Sequence, residues 1–239
     1  MMTVAGVAGV MPAQATSTTF ASQPASAIVA QTRAAMTAAG AVSANGSGSG
    51  SGSGVGKVEL SEQNYSGTTS GIQHLKVSSN HAPSAGLPMA TAMDVVGQLY
   101  VNANAAFWVS SAGMTNSQAA ILANRWIQIP SSSPLYATAA ADLTMPSLVS
   151  DLFSASTFHK GRILSIDGVR SIAITYSNSG DDAGPATCDI PLGGRHLPIA
   201  ATIDGVTFHF GSWGKAKLIS APKDAVSLSS LVSPGEATT

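Results

Sequence analysis

Residues 45–56 read NGSGSGSGSGVG, with glycine at every even position from Gly46 to Gly56 and serine at every odd one from Ser47 to Ser53. Such a block is a linker between two domains, a catalytic glycine loop, or a part of one domain. The choice decides how the flanking chain folds. Roughly 45 residues precede it, too few to bury a core of their own. They carry one helical pattern whose apolar face needs a cover, and that cover must come from the chain after the block. A flexible ten-residue coil reaches about 16–19 Å, enough to return the helix onto the strands beyond it. The block therefore lies inside one domain.

Its parity removes the catalytic readings. G-x-S-x-G requires glycine and serine on the same parity, and G-x-G-x-x-G requires glycines on opposite parities; the block offers neither. No Walker-type Lys-Ser/Thr pair comes after it, because Lys57 precedes Val58. If extended, the block presents serines on one face and glycines on the other. A glycine-only face has nothing to pack, which predicts a weakly ordered first strand or a protruding hairpin.

Composition narrows the rest. Of 239 residues, 10% are charged and 5% aromatic, the net charge is -1, and no Lys/Arg cluster occurs. This surface does not attract nucleic acid or an anionic membrane through charge. Cys188 is the single cysteine, so an internal disulfide and a cysteine-based zinc site are excluded; it reads as a buried spectator thiol. The opening segment, residues 1–15, is a short apolar run ending in Ala13-Gln14-Ala15. It resembles the apolar region and cleavage site of a signal peptide without a basic leader, the first basic residue being Arg33. Export and a plain apolar tail are the two readings. No run is long enough for a transmembrane helix.

A Ser/Thr-rich segment, residues 16–23, is expected to be disordered, and the folded domain to run from 24 to 232 with a flexible tail at 233–239. Three helical patterns stand out. The first starts near Pro24 and stops at Gly40, with Ile28, Val29, Thr32, Met36 and Ala39 on one face. The second begins after a cap at Thr115 or Asn116 and turns Ala119, Ile121, Leu122 and Trp126 inward. The third begins after Thr144, with Pro146 in its first turn and Leu148, Val149, Leu152 and Phe153 inward. Nearly everything else alternates with period two between Gly, Pro, Asn and Asp boundaries, from KVELSEQNYSG (57–67) to AKLISAP (216–222). Asp167-Gly168 and Asp204-Gly205 favour tight hairpins. The expectation is an α+β fold, a single curved antiparallel sheet of about ten strands with helices over one face.

Candidate chemistry is sparse. His74, His81, His159, His196 and His209 show no i, i+4 pair, and no metal site is expected. Asp181-Asp182 sits in a polar turn that lacks the spaced oxygen ligands of a calcium loop. No acid/base pair or Ser/His/Asp set is visible, although a triad need not be close in sequence. No catalytic residue and no cofactor is assigned. Trp108, Trp126 and Trp213 end strand or helix patterns, as core anchors do. A sheet curved around helices but faced with Ala, Gly and Ser leaves space, and underfilled apolar space is a pocket for a greasy ligand.

Four phrases, in order, carry a family resemblance: VVGQLYVNANAAFW (95–108), NRWIQIP (124–130), GGRHLPIAATIDG (193–205) and FGSWGKAKLISAP (210–222). Together they resemble actinobacterial exported lipoproteins of the LppX/LprG type, within the superfamily of the lipoprotein carriers LolA and LolB. The resemblance covers roughly residues 24–232, and Trp126, Pro130, Trp213 and Gly214 match as structural marks. It implies a half-open β-barrel with helices covering the concave face, enclosing a hydrophobic cavity, and a non-enzymatic role in binding or moving lipids or acylated molecules across the cell envelope. PAQATST (12–18) has no lipobox cysteine, which implies secretion or loose envelope association in place of a lipid anchor. On this reading the lining comprises Ile28, Met36, Leu122, Leu148, Leu152 and Phe153 from helices, with Leu99, Val101, Ile127 and Ile174 from strands. Plain core packing is the competing role for each. An envelope sensor or protein-interaction module on the same fold is the alternative function.

Overall fold

The computed structural model describes residues 15–52, 56–79, 87–140, 143–177, 185–203 and 205–231. The leader to residue 14, the tail from 233, His81 and the Asp181-Asp182 turn lie outside the described residues.

Two helices lead, α1 (Ala15–Ser22) and α2 (Ala25–Ala39). Helix α1 falls largely within the Ser/Thr-rich segment. Helix α2 ends where its sequence provides for it: Gly40 takes a left-handed φ of 68° and its N–H donates to the Met36 carbonyl. Six strands come next, with helices between the last two: β1 (Ala41–Gly52), β2 (Gly56–Gly67), β3 (Ser70–Ser79), β4 (Met89–Val95), β5 (Gln98–Ala103), then α3 (Ala105–Ala112), α4 (Asn116–Leu122) and β6 (Trp126–Ile129). After α5 (Pro134–Ala140) and α6 (Met145–Leu152) comes a second meander, β7 (His159–Ile166), β8 (Val169–Ser177), β9 (Pro185–Pro191), β10 (Ala200–Ile203) and β11 (Val206–Gly211). The short β12 (Val226–Ser227) and α7 (Leu228–Leu231) complete the described chain.

The twelve strands among the described residues form one open sheet in the order β12-β6-β5-β4-β3-β2-β1-β11-β10-β9-β8-β7. Every pairing is antiparallel except β12 with β6. Against about ten expected, the twelve strands are ten that follow alternating stretches, β2 to β11, with the glycine-serine block and the two-residue β12, too short to show a period, added; residues 216–222 form no strand.

Strand β1 is the larger correction. It lies mid-sheet, with residues 43–48 paired to β11 on one side and residues 41–52 paired to β2 on the other, so that beyond Gly48 it runs on with β2 alone. Its ladder is satisfied along both edges over residues 43–48, and the glycine face is covered there from outside the strand, at Gly46 and Gly48. At Gly46 an added Cβ would lie 2.6 Å from the ring of Phe208, its direct cross-strand partner. The aromatic ring lies across the backbone and takes the place of the missing side chain.

Register shows where the core sits. Directly opposed residues in an antiparallel ladder point to the same face. Following the pairs Val42–Ser66–Gly71–Asp94–Leu99–Ile129 in one direction and Ala44–Phe210, then Phe208–Ala201–Cys188–Ile174, in the other traces one continuous face. Two apolar clusters lie on it. One joins α1, α2 and α6 to β8–β10 through Ile28, Met36, Phe153, Ile174 and Ile190. The other joins α3 and α4 to β5 and β6 through Trp108, Leu122, Leu99 and Ile127. The helices thus cover a single face, as expected, in two groups, with the entry to α6 crossing β2 and β3 between them. On the opposite face the chain after β11 crosses β1 and β2: the Gly214 N–H donates to the Ala41 carbonyl at 2.8 Å, and the Lys217 N–H to the Tyr65 hydroxyl at 2.7 Å. No helix among the described residues is long and apolar enough to cross a membrane.

Candidate functional site

Among the described residues, two apolar cavities open on the helix-bearing face, one beside each apolar cluster. The first, about 250 Å³, lies between α6 and the seam of β1 with β11, bounded by Ala44, Leu148, Leu152, Ile203, Phe208 and Phe210, with Asn64 and Ser66 on its β2 side. Asp151 and Ser154 also border it, from the α6 side. The second, about 230 Å³, lies under α3 and α5, bounded by Leu75, Ala92, Val101, Trp108, Ile129 and Leu135, with Gln73 on its β3 side. The first is walled by Phe208 and Phe210 of β11 facing Leu148 and Leu152 of α6, and the second by Trp108 and Leu135 from helices facing Leu75, Val101 and Ile129 from strands. Neither has a lysine or arginine among its described lining residues.

The positions of the helices follow from local sequence. Thr115 caps α4, with its hydroxyl accepting from the Gln118 N–H at 3.3 Å and the Gln118 side chain accepting from the Thr115 N–H at 3.0 Å. Asn104 caps α3, accepting from the Phe107 N–H at 3.0 Å, and its amide also donates to the Leu87 carbonyl at 2.7 Å. In the sequence that cap looks like the end of a strand, which conceals α3. Helix α6 is fixed by close approach. A Cβ at Gly71 would overlap the Leu143 carbonyl, and Gly67 bridges to Thr144, so the chain entering α6 rests directly on the β2–β3 backbone.

Between the cavities lies a short polar bridge. Asn64 on β2 and Gln73 on β3 are direct cross-strand partners, and each borders a different cavity. Both side-chain amides donate to one oxygen of Glu62, Oε2, each at 3.4 Å. Burial raises the Glu62 carboxyl above the ordinary carboxylate range, and the two amide donors oppose that rise. The Asn64 Oδ1 atom is buried and has no hydrogen-bond partner among the described residues.

The ten residues expected to line one cavity divide between the two clusters. Ile28, Met36, Leu148, Leu152, Phe153 and Ile174 gather with the first, and Leu99, Val101, Leu122 and Ile127 with the second. Leu148 and Leu152 border the first cavity and Val101 the second. The other seven fill the core. Phe208 and Phe210 are absent from the expected lining, although the alternation of VTFHF already puts both on one face. Asn64 and Gln73 are absent from it because the expected lining is apolar and both are polar.

The remaining candidates take structural roles. Trp108 is 1% exposed in the second cluster, Trp126 is half-buried in β6, and the Trp213 indole donates to the Pro198 carbonyl at 3.0 Å. His196 bonds the Pro191 carbonyl through Nδ1 at 2.9 Å and stacks on Phe20; exposed His74 bonds the Thr91 hydroxyl at 2.9 Å. Cys188 is fully buried, and burial pushes its thiol upward, with Asp189 adding to the rise. Among the described residues no three His, Cys, Asp or Glu side chains gather as a metal site.

No protein-family model and no curated protein matches this chain. It is similar to several solved structures. LprF from Mycobacterium bovis is 13% identical with a TM-score of 0.45, over 83% of this chain and 96% of that one. A DUF1329 family protein from Desulfovibrio piger is 10% identical with a TM-score of 0.33, over 80% and 92%. A LolA superfamily protein from Nitrosomonas europaea is 11% identical with a TM-score of 0.31, over 84% and 96%. At such scores these are likenesses of general layout.

Proposed function

We propose that this chain binds a lipid or acylated molecule on the helix-bearing face of its sheet and carries or presents it outside the cytoplasm, without catalysing a reaction. The observation that carries the reading is the pair of apolar cavities, about 250 and 230 Å³, on one sheet face. Each lies a little under the ~300–1,000 Å³ of small-molecule sites, so side chains such as Phe208, Phe210 and Leu148 must shift to admit a long chain. Acyl burial supplies affinity, at about 0.8 kcal/mol per CH₂ removed from water. The export-type leader pattern and the sequence resemblance to exported lipoproteins support the extracytoplasmic placement.

The test is organic extraction and native mass spectrometry of the purified chain, followed by exchange with a fluorescent fatty acid. A co-purifying or exchangeable lipid at near-stoichiometric amount is the expected result. Repeated absence of both overturns the reading.

A further inference from the structure

We infer that the Glu62–Asn64–Gln73 bridge holds the polar centre of a two-armed amphiphile and selects a centre that donates hydrogen bonds and carries no negative charge, such as the free hydroxyl of a diacyl glycerolipid. The inference rests on the apolar-ligand reading and deepens it by naming the ligand class.

Three observations lead to it. The first is adjacency: Asn64 borders one cavity and Gln73 the other, and the two residues face each other directly across the β2–β3 ladder. Opposed Cβ atoms in such a ladder lie about 4.5–5.5 Å apart, so one small polar group placed there lies within reach of both cavities. A ligand with a single chain would fill one cavity and leave the other open.

The second observation is polarity placed where apolar residues would pack better. On the same face the neighbouring strands carry Ala44, Leu75, Ala92 and Val101. A half-buried carboxylate with two amides among them costs desolvation unless something is gained. Asn64 and Gln73 donate to Oε2 alone, and Oε1 of Glu62 accepts no hydrogen bond among the described residues. The buried Asn64 Oδ1 also lacks a partner among them. Two acceptor atoms stand ready for donors, and a hydroxyl or an amine supplies donors.

The third observation is sign. The charged residues at this strip are acidic: Glu62 at the bridge and Asp151 beside the first cavity, with no lysine or arginine among the described residues lining either cavity. Arg33 stands at the α6 end of the first cavity, donating to the Phe153 carbonyl at 3.1 Å, so discrimination against a phosphate-bearing centre rests on the Glu62 carboxylate at the bridge itself.

The experiment uses the full chain, stripped of lipid and loaded with a fluorescent acyl probe. Dioleoylglycerol, monooleoylglycerol and dioleoylphosphatidic acid compete for the probe on the parent protein and on Glu62→Gln, whose folding is checked by thermal melting. The parent is expected to bind dioleoylglycerol at least about tenfold more tightly than either competitor, a gap that corresponds to about 1.4 kcal/mol. Glu62→Gln is expected to narrow the gap to phosphatidic acid to about threefold while leaving the gap to the one-armed lipid in place. Equal binding of phosphatidic acid and dioleoylglycerol by the parent overturns the assignment whatever the variant does. A preference unchanged in a folded Glu62→Gln protein overturns it as well. A stripped chain that takes up no acyl probe overturns the ligand reading beneath it, whereas one that takes up the probe and yields it to none of the three lipids overturns this assignment alone.

Discussion

Replacing Gly71 with alanine tests the close approach that seats α6 over the first cavity. A Cβ at this position overlaps the Leu143 carbonyl and sits 2.9 Å from that of Tyr65. Both obstacles are backbone, so neither can swing aside as a side chain would. Overpacking of this kind costs about 1–3 kcal/mol. Removing glycine's excess freedom in the unfolded chain offsets about 0.5–1 kcal/mol. The balance is a net loss of about 2 kcal/mol, toward the upper end because the backbone must move. For a chain of this length that lowers the melting temperature by about 4–8 °C. Gly211→Ala is the internal control: nothing lies within 4 Å of its added Cβ and its φ is not positive, so it should be neutral or stabilising by up to about 1 kcal/mol. Urea unfolding of parent and both variants, with a common m-value, reads the difference. A Gly71→Ala protein within about 0.5 kcal/mol of the parent would refute the claim that α6 is held by direct contact with the β2–β3 backbone.

Three further outcomes rest on the same geometry. Backbone amides of residues 43–48, paired on both sides, should exchange as slowly as those of residues 171–176 in β8, and rapid exchange limited to the glycine-serine block would refute its placement mid-sheet. Val96 is 72% exposed and holds φ 54° in the two-residue turn between β4 and β5; Val96→Asn should raise stability by about 0.5–1 kcal/mol in thermal melts, because asparagine tolerates that φ and a β-branched residue does not. Burial raises the carboxyls of Glu62, Asp94 and Asp189. A carboxyl raised on folding contributes its stability in full below its unfolded pKa of about 4 and loses it as pH climbs through the folded value. The melting temperature should therefore rise as pH falls from neutral toward the unfolded value of about 4, and a steady fall over that whole interval would contradict the burial of these groups.

Much of the fold is legible in the sequence because it rests on short-range signals. Gly40, Thr115 and Thr144 mark helix ends through capping chemistry that needs no tertiary context. Asp167-Gly168, both at positive φ, forms the tight turn its composition implies. The glycine-serine block is illegible because its partner is about 160 residues away in sequence: nothing near Gly46 reveals that Phe208 fills the space above it. The lining is obscured for a related reason. Helix periodicity identifies which residues point inward, and Ile28, Met36 and Leu122 do so. It does not say whether the inward space is filled, and for these residues it is. The polar bridge is invisible to any search for catalytic or metal-binding motifs, since Glu62, Asn64 and Gln73 acquire a joint meaning only from the register of β2 with β3.

The central claim, an apolar ligand housed on the helix-bearing face, is tested most directly by crystallising the chain with a fatty acid brominated along its chain and locating bromine by anomalous scattering. Bromine peaks are expected between Leu148, Phe208 and Phe210, or between Ala92, Trp108 and Leu135. Peaks confined to the opposite face of the sheet, in crystals of protein that binds the fatty acid stoichiometrically, would contradict it.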